Sequence, residues 1–191
     1  MTARRDIEAS SGDRITRRLK RSFYVRPTLE VARDLLGRTL CRKLPDGRTL
    51  RGRITEVEAY DGPRDRASHA HRGRTPRNAP MFERGGIAYV YLIYGIHHCL
   101  NVVTGECGYP AAVLVRATDP PAHGARAAGP GLVARAFAID RRHDGASLSG
   151  GELWLEHGAP VSDRVVSRTA RVGVAYAGAW AHRRYRFLMK R

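Results

Sequence analysis

Lysine is nearly missing from this chain. Only Lys20, Lys43 and Lys190 occur, and arginine supplies the other 31 positive charges. No lysine falls between Arg53 and Arg116, where the polar motifs cluster. That argues against a Schiff-base nucleophile and for water as an attacking group. Arginine suits bidentate phosphate contacts and stacking on bases, although a GC-rich genome would also favour it. Cysteine is scarce too: Cys41, Cys99 and Cys107 form no CxxC. Neither a zinc ribbon nor a disulfide framework is supported, and an odd number fits a reducing cytoplasm. No apolar run approaches the roughly 18 residues of a membrane span, and the first residues lack a hydrophobic signal core. There is no GxxxxGK[ST] loop and no GxGxxG after a strand, which argues against a nucleotide cofactor. His97-His98-Cys99 is a weak metal signal, because adjacent strand residues face opposite ways.

What is present is positive charge. The 191 residues carry a formal charge of +16, with a pI near 10.9. Such an excess speaks about partners rather than fold and points to nucleic acid, with an anionic membrane or a ribosome as alternatives. The length suits one domain, and a 42% hydrophobic fraction can fill a core.

Residues 1–20 are polar and basic and read as a disordered arm. Thr28 is placed to cap a helix whose stripe is Val31, Ala32, Leu35 and Leu36, ended by Gly37. Arg38 to Lys43 and Arg48 to Tyr60 read as strands around a Pro45-Asp46-Gly47 turn. A period of two puts Ile54, Glu56, Glu58 and Tyr60 on one face. Asp61 to Pro80 is a long loop, of the length that is functional or disordered. Gly86 to Tyr94 and Cys99 to Thr104 read as strands joined by Gly95-Ile96-His97-His98, with Tyr94 at the hairpin tip. Ala111 to Thr118 is a further strand interrupted by Arg116, and 119–129 is irregular. Pro130 starts a helix bearing Leu132, Val133, Ala136 and Phe137. Gly151 to Glu156 and Tyr185 to Lys190 read as strands, and Arg171 to Val174 as a short strand or turn. These elements predict one α+β domain: a mostly antiparallel curved β-sheet with flanking helices and a protruding β-hairpin.

The chemistry-bearing residues concentrate between Arg53 and Arg116. Glu58 is the best candidate base, since a carboxylate on a partly apolar face is desolvated and gains basicity. Glu56, two residues away, could instead take the role, or both could pair with arginines. Tyr60, His69 and Tyr91 could sandwich a planar ring; base–aromatic stacking is worth roughly 1–3 kcal/mol. An aromatic at an exposed turn, as Tyr94 would be, can wedge into a base stack. Arg116 and Asn101 are polar residues among apolar strand neighbours and must find partners, with Glu58 an obvious one for Arg116.

The segments ITEVEAYDGPRDRASHA, TPRN, MF, YVYLIYGIHHCLNVV and AVLVRAT, followed by GPGLVARAFAID and ARVGVAYAGAWAHRRYRF, resemble the alkyladenine (3-methyladenine) DNA glycosylase family. The likeness runs in order from about Ser22 to Phe187, so the glycosylase domain is expected at residues 21–191. The resemblance implies a monofunctional enzyme, with no metal or other cofactor, that hydrolyses the N-glycosidic bond of alkylated or deaminated purines and leaves an abasic site. It implies that Glu58 activates the attacking water, held also by Arg116 and the backbone carbonyl of Val174. Tyr60, His69 and Tyr91 would line the base pocket, Asn101 would exclude the exocyclic amine of guanine, and Tyr94 would intercalate. The implied partner is double-stranded DNA with damaged purines, met by a monomer in the bacterial cytoplasm.

Two departures stand out. The segment 119–129 is short for the family, and Leu132 stands where the family's GPxKL turn carries lysine. A pocket left more open, for bulkier purine adducts, is one consequence; a lesion-binding protein without catalysis is the competing class. Charge alone would also allow an RNA-binding protein.

Overall fold

A computed structural model describes residues 18–190. Among them, nine strands form one curled, half-barrel sheet in which every pairing is antiparallel. They are β1 (Thr39–Lys43), β2 (Thr49–Asp61), β3 (Ala88–Ile93), β4 (His97–Val103), β5 (Ala111–Thr118), β6 (Ser149–Gly150), β7 (Leu153–Glu156), β8 (Val166–Thr169) and β9 (Arg186–Met189). The main order is β3-β4-β5-β2-β1-β7-β6; β9 joins β2, and β8 joins β9. The helices are α1 (Arg21–Tyr24), α2 (Thr28–Leu35) and α3 (Pro130–Ala136). This is the single α+β domain with a curved antiparallel sheet that the sequence suggests.

The 13-residue β2 is the spine. It pairs with β1 at its start, with β5 from Ile54 onward, and with β9 at Glu56 to Glu58. Both faces of the sheet are covered, so its strands read as nearly continuous apolar runs. On one face Val57, Ala59, Val90, Leu100, Val102, Val113 and Val115 are fully buried. They pack with Val31, Ala32 and Leu35 of α2 and with Val133, Ala134 and nearby Phe137 of α3. Each valine, leucine or phenylalanine among them contributes about 1.5–3 kcal/mol by leaving water. The opposite face carries Tyr89, Tyr91, Cys99, Val103, Ala112 and Leu114, and the 62–82 segment covers it with Ala70 and Met81.

Several expectations need correction. Ile54 does not share a face with Glu56 and Glu58. The register between β2 and β5 shifts on both sides of Glu56, and such a bulge moves everything before it to the other side. Ile54 therefore joins Val57 and Ala59 in the helix-facing core. Thr28 is not a cap: Pro27 occupies that position, and the buried Thr28 hydroxyl accepts from Thr104 at 3.2 Å. His97 and His98 belong to β4, and the hairpin connection is Tyr94-Gly95-Ile96. Of the two readings for Arg171 to Val174 the strand does not form and the turn does, and β8 just before it escaped the sequence reading. Of the expected arm at residues 1–20, residues 1–17 lie outside the described residues. Its last part is anchored: Leu19 is fully buried, and the Arg18 guanidinium lies 4.3 Å from the Trp154 ring centre.

Candidate active site

The antiparallel register sets one row of side chains across the non-helical face. Tyr89 on β3 pairs with Asn101 on β4, Asn101 with Leu114 on β5, Leu114 with Glu58 on β2, and Glu58 with Arg186 on β9. Residues from five strands thus meet without any local sequence signal beyond alternation. Tyr89, Asn101 and Leu114 of this row, together with the 62–82 segment and the Val172–Val174 turn, enclose a cavity of about 160 Å³. Tyr60, His69, Tyr91, Asn101, Arg116 and Val174 all line it.

Glu58 lies just behind that lining and is fully buried. Its Oε1 accepts the Val172 N–H at 2.7 Å, and its Oε2 accepts the Tyr60 hydroxyl at 3.0 Å. Arg116 Nη1 stands 3.5 Å from the same Oε2. Burial pushes the Glu58 carboxyl above the ordinary glutamate range, against the opposing pull of Arg116, the Val172 amide and Tyr60. An ionised carboxylate offers about four acceptor positions, so three donors leave room for one more proton source. Glu56 is arranged differently. Its Oε1 accepts Arg116 Nε at 3.0 Å and Arg186 Nε at 2.7 Å, so two guanidinium groups already occupy that oxygen. Arg116 is thus bound mainly by Glu56, with Glu58 its second contact.

The aromatic side of the cavity is held by packing. His69 meets Tyr91 edge to face, ring centres 4.5 Å apart and planes at 73°, so the two rings do not stand parallel. His69 Nδ1 lies 3.1 Å from the Tyr89 hydroxyl. Burial, then the charge of Arg77, lower the His69 pKa and favour its neutral imidazole. Tyr60 is fixed by its bond to Glu58, and burial raises its phenol well above the usual range. Asn101 donates through Nδ2 to the carbonyls of Tyr89 at 3.1 Å and Cys99 at 3.4 Å, so its amide cannot swing away from the cavity. The Val174 carbonyl accepts the Ala177 N–H at 2.9 Å and keeps a second lone pair.

Tyr94 lies apart, at the tip of the β3–β4 hairpin, and is 91% exposed. Ile96 N–H closes the turn on the Ile93 carbonyl at 3.1 Å. Tyr94 and Gly95 both have positive φ, 52° and 73°, as primed hairpin turns require. Asparagine usually fills the first of these positions; a tyrosine there is strained by roughly 1–2 kcal/mol.

The sequence reading missed Tyr89, Met81, Tyr176, the Val172 amide and the Asp65–Arg171 pair. Alternation alone would have put Tyr89 beside Tyr91. The others come from irregular segments, where no period applies.

A buried carboxylate behind an aromatic cavity, beside an exposed aromatic on a hairpin in a strongly basic chain, is suited to work on a base displaced from a duplex. Comparison with known proteins gives the family. Residues 22–191 match the family described as Methylpurine-DNA glycosylase (MPG). Three relatives carry the name "Putative 3-methyladenine DNA glycosylase". The one from Anaeromyxobacter dehalogenans is 52% identical, covering 91% of this chain and 82% of the relative. The one from Methanocella arvoryzae is 49% identical, covering 90% and 92%, and the one from Streptomyces avermitilis 46%, covering 84% and 83%. The class is that of the DNA glycosylases, hydrolases of DNA repair whose substrate is DNA. Within it, this chain belongs to the methylpurine-DNA glycosylase family.

Proposed function

We propose that the protein flips alkylated or deaminated purines out of duplex DNA and hydrolyses their N-glycosidic bond, leaving an abasic site. The observation that carries this reading is the fully buried Glu58 behind an aromatic-lined cavity, with its acceptor positions not yet filled. Water attacks C1′ of the deoxyribose and passes a proton to the Glu58 carboxylate. Its oxygen bonds to C1′ as the C1′–N bond breaks, and the electron pair leaves with the purine. An alkylated cationic purine departs neutral and needs no acid; a neutral deaminated purine departs as an anion, which takes up a proton from solvent. Arg116 and the Val174 carbonyl orient the water. The Glu58 charge also stabilises the cationic character of the sugar in the transition state.

Tyr60, Tyr91 and His69 form the pocket for the flipped base, and Asn101 blocks the amine of normal guanine by its fixed position. Tyr94 fills the gap in the duplex, repaying part of the few kcal/mol that unstacking costs. The arginine-rich surface supplies sequence-independent, salt-sensitive affinity. The protein acts as a monomer and without lyase chemistry.

The test is an excision panel of duplexes holding 3-methyladenine, 7-methylguanine, hypoxanthine, ethenoadenine or a bulky purine adduct. Release of free damaged purine, with none of normal guanine, is expected. Tight lesion binding with no release would favour a binding protein and contradict the reading. A strong preference for 3-methyladenine over the bulky adduct would sink the idea that the short 119–129 segment opens the pocket.

A further inference from the structure

Beneath the pocket lies an ion pair that the reaction above does not use. Asp65 and Arg171 both have fully buried side chains. Arg171 forks onto the carboxylate, Nη1 to Oδ2 at 2.5 Å and Nη2 to Oδ1 at 2.8 Å. The same guanidinium donates to the Ala59 carbonyl at 2.8 Å and the Trp180 carbonyl at 3.3 Å. It also lies 4.8 Å from the centre of the Tyr60 ring. Asp65 accepts the N–H groups of Asp61 and Ala67, each at 3.1 Å. Every one of these contacts adjoins the site. Ala59 and Tyr60 follow Glu58 in β2. Ala67 lines the cavity two residues before His69. Val172, whose N–H is the shortest donor to Glu58, is the residue after Arg171.

Stability is a weak explanation for such a pair. Burying two charges costs several kcal/mol each, and apolar replacements are often no less stable. A planar fork fixes what it joins in one geometry.

We infer that the Asp65–Arg171 pair is a positioning element for base release: it ties the Val172–Val174 turn and the 62–82 segment to β2, aiming the Val172 amide at Glu58 and holding the Tyr60 ring at the pocket. The inference rests on the proposed role of Glu58. When the turn slips, the carboxylate loses its best donor. A donor to the charged form lowers a carboxyl pKa, so its loss raises the Glu58 pKa further. The base form is then lost at a higher pH, and the acid limb of the rate profile moves upward. The groups that act on Glu58 besides the Val172 amide are Tyr60 from β2, Tyr91 from β3, Arg116 from β5, Arg186 from β9 and the charge of Arg171 itself, which a lysine at that position retains.

The experiment measures single-turnover purine release from dimethyl-sulfate-treated duplex DNA against pH, with thermal melting of each protein. Arg171→Lys keeps the charge but loses the fork. The double variant Asp65→Asn with Arg171→Met leaves no unpaired charge and retains an acceptor for the Ala67 amide. Arg171→Lys should slow release about tenfold or more and shift the acid limb up by about one pH unit. The double variant should melt within a few degrees of wild type and release purines on the order of a hundredfold more slowly. Wild-type rates and an unmoved acid limb in a folded variant would overturn the inference. So would a double variant that fails to fold, which assigns the pair to stability. A wild-type protein that releases no purine would instead remove the proposed function itself.

Discussion

The two faces of the sheet bury opposite kinds of side chain from the same strands. Toward α2 and α3, β2 to β5 present valine, alanine and leucine. Toward the cavity they present Glu58, Tyr60, Tyr89, Tyr91, Asn101 and Arg116. Glu58 is as completely buried as Val57 beside it. The difference is that Val57 gains from burial, whereas Glu58 is held against its desolvation by an amide, a phenol and a guanidinium. One residue of register therefore separates stability from chemistry.

That separation can be broken experimentally. Phe137→Ala opens the helix-facing core and should cost about 3–5 kcal/mol, measured by denaturant unfolding. Release per folded molecule should not change; a folded variant with impaired chemistry would show that the faces are coupled. Tyr94→Ala should leave melting unaltered, because the side chain is 91% exposed. It should weaken lesion-duplex binding by about 1–3 kcal/mol, as a lost stacking contact does; unchanged affinity would remove its role as a wedge. Leu132→Lys should have the smallest effect, a severalfold gain in DNA affinity at low salt and a salt slope steeper by about one. No change in slope would place Leu132 away from the DNA backbone.

Much of this arrangement is legible in the sequence. Alternation in β3 to β5 separates Tyr91, Asn101 and Arg116 from their apolar neighbours, and all three do line the cavity. The strands and the hairpin fall close to where their composition puts them. The bulge at Glu56 is not legible, since a doubled residue leaves the same letters in the same order, and it moved Ile54 to the other face. The Asp65–Arg171 pair joins positions 106 residues apart in a loop and a turn, beyond any local pattern. The 62–82 segment reads only as a long loop because its order comes from successive tight turns and side-chain bonds, which follow no period. Asn78, for example, accepts the Thr75 N–H at 2.7 Å and donates to the His69 carbonyl at 3.0 Å.

The central claim is that Glu58 is the base and that the rest of its face serves it. Glu58→Gln keeps the shape of the side chain and removes its negative charge and its ability to take a proton. Purine release from methylated duplex DNA, lesion-duplex affinity and melting should be measured on the same preparation. The account predicts that release falls by about a thousandfold or more, while affinity and melting stay close to wild type. Release at the wild-type rate would contradict it.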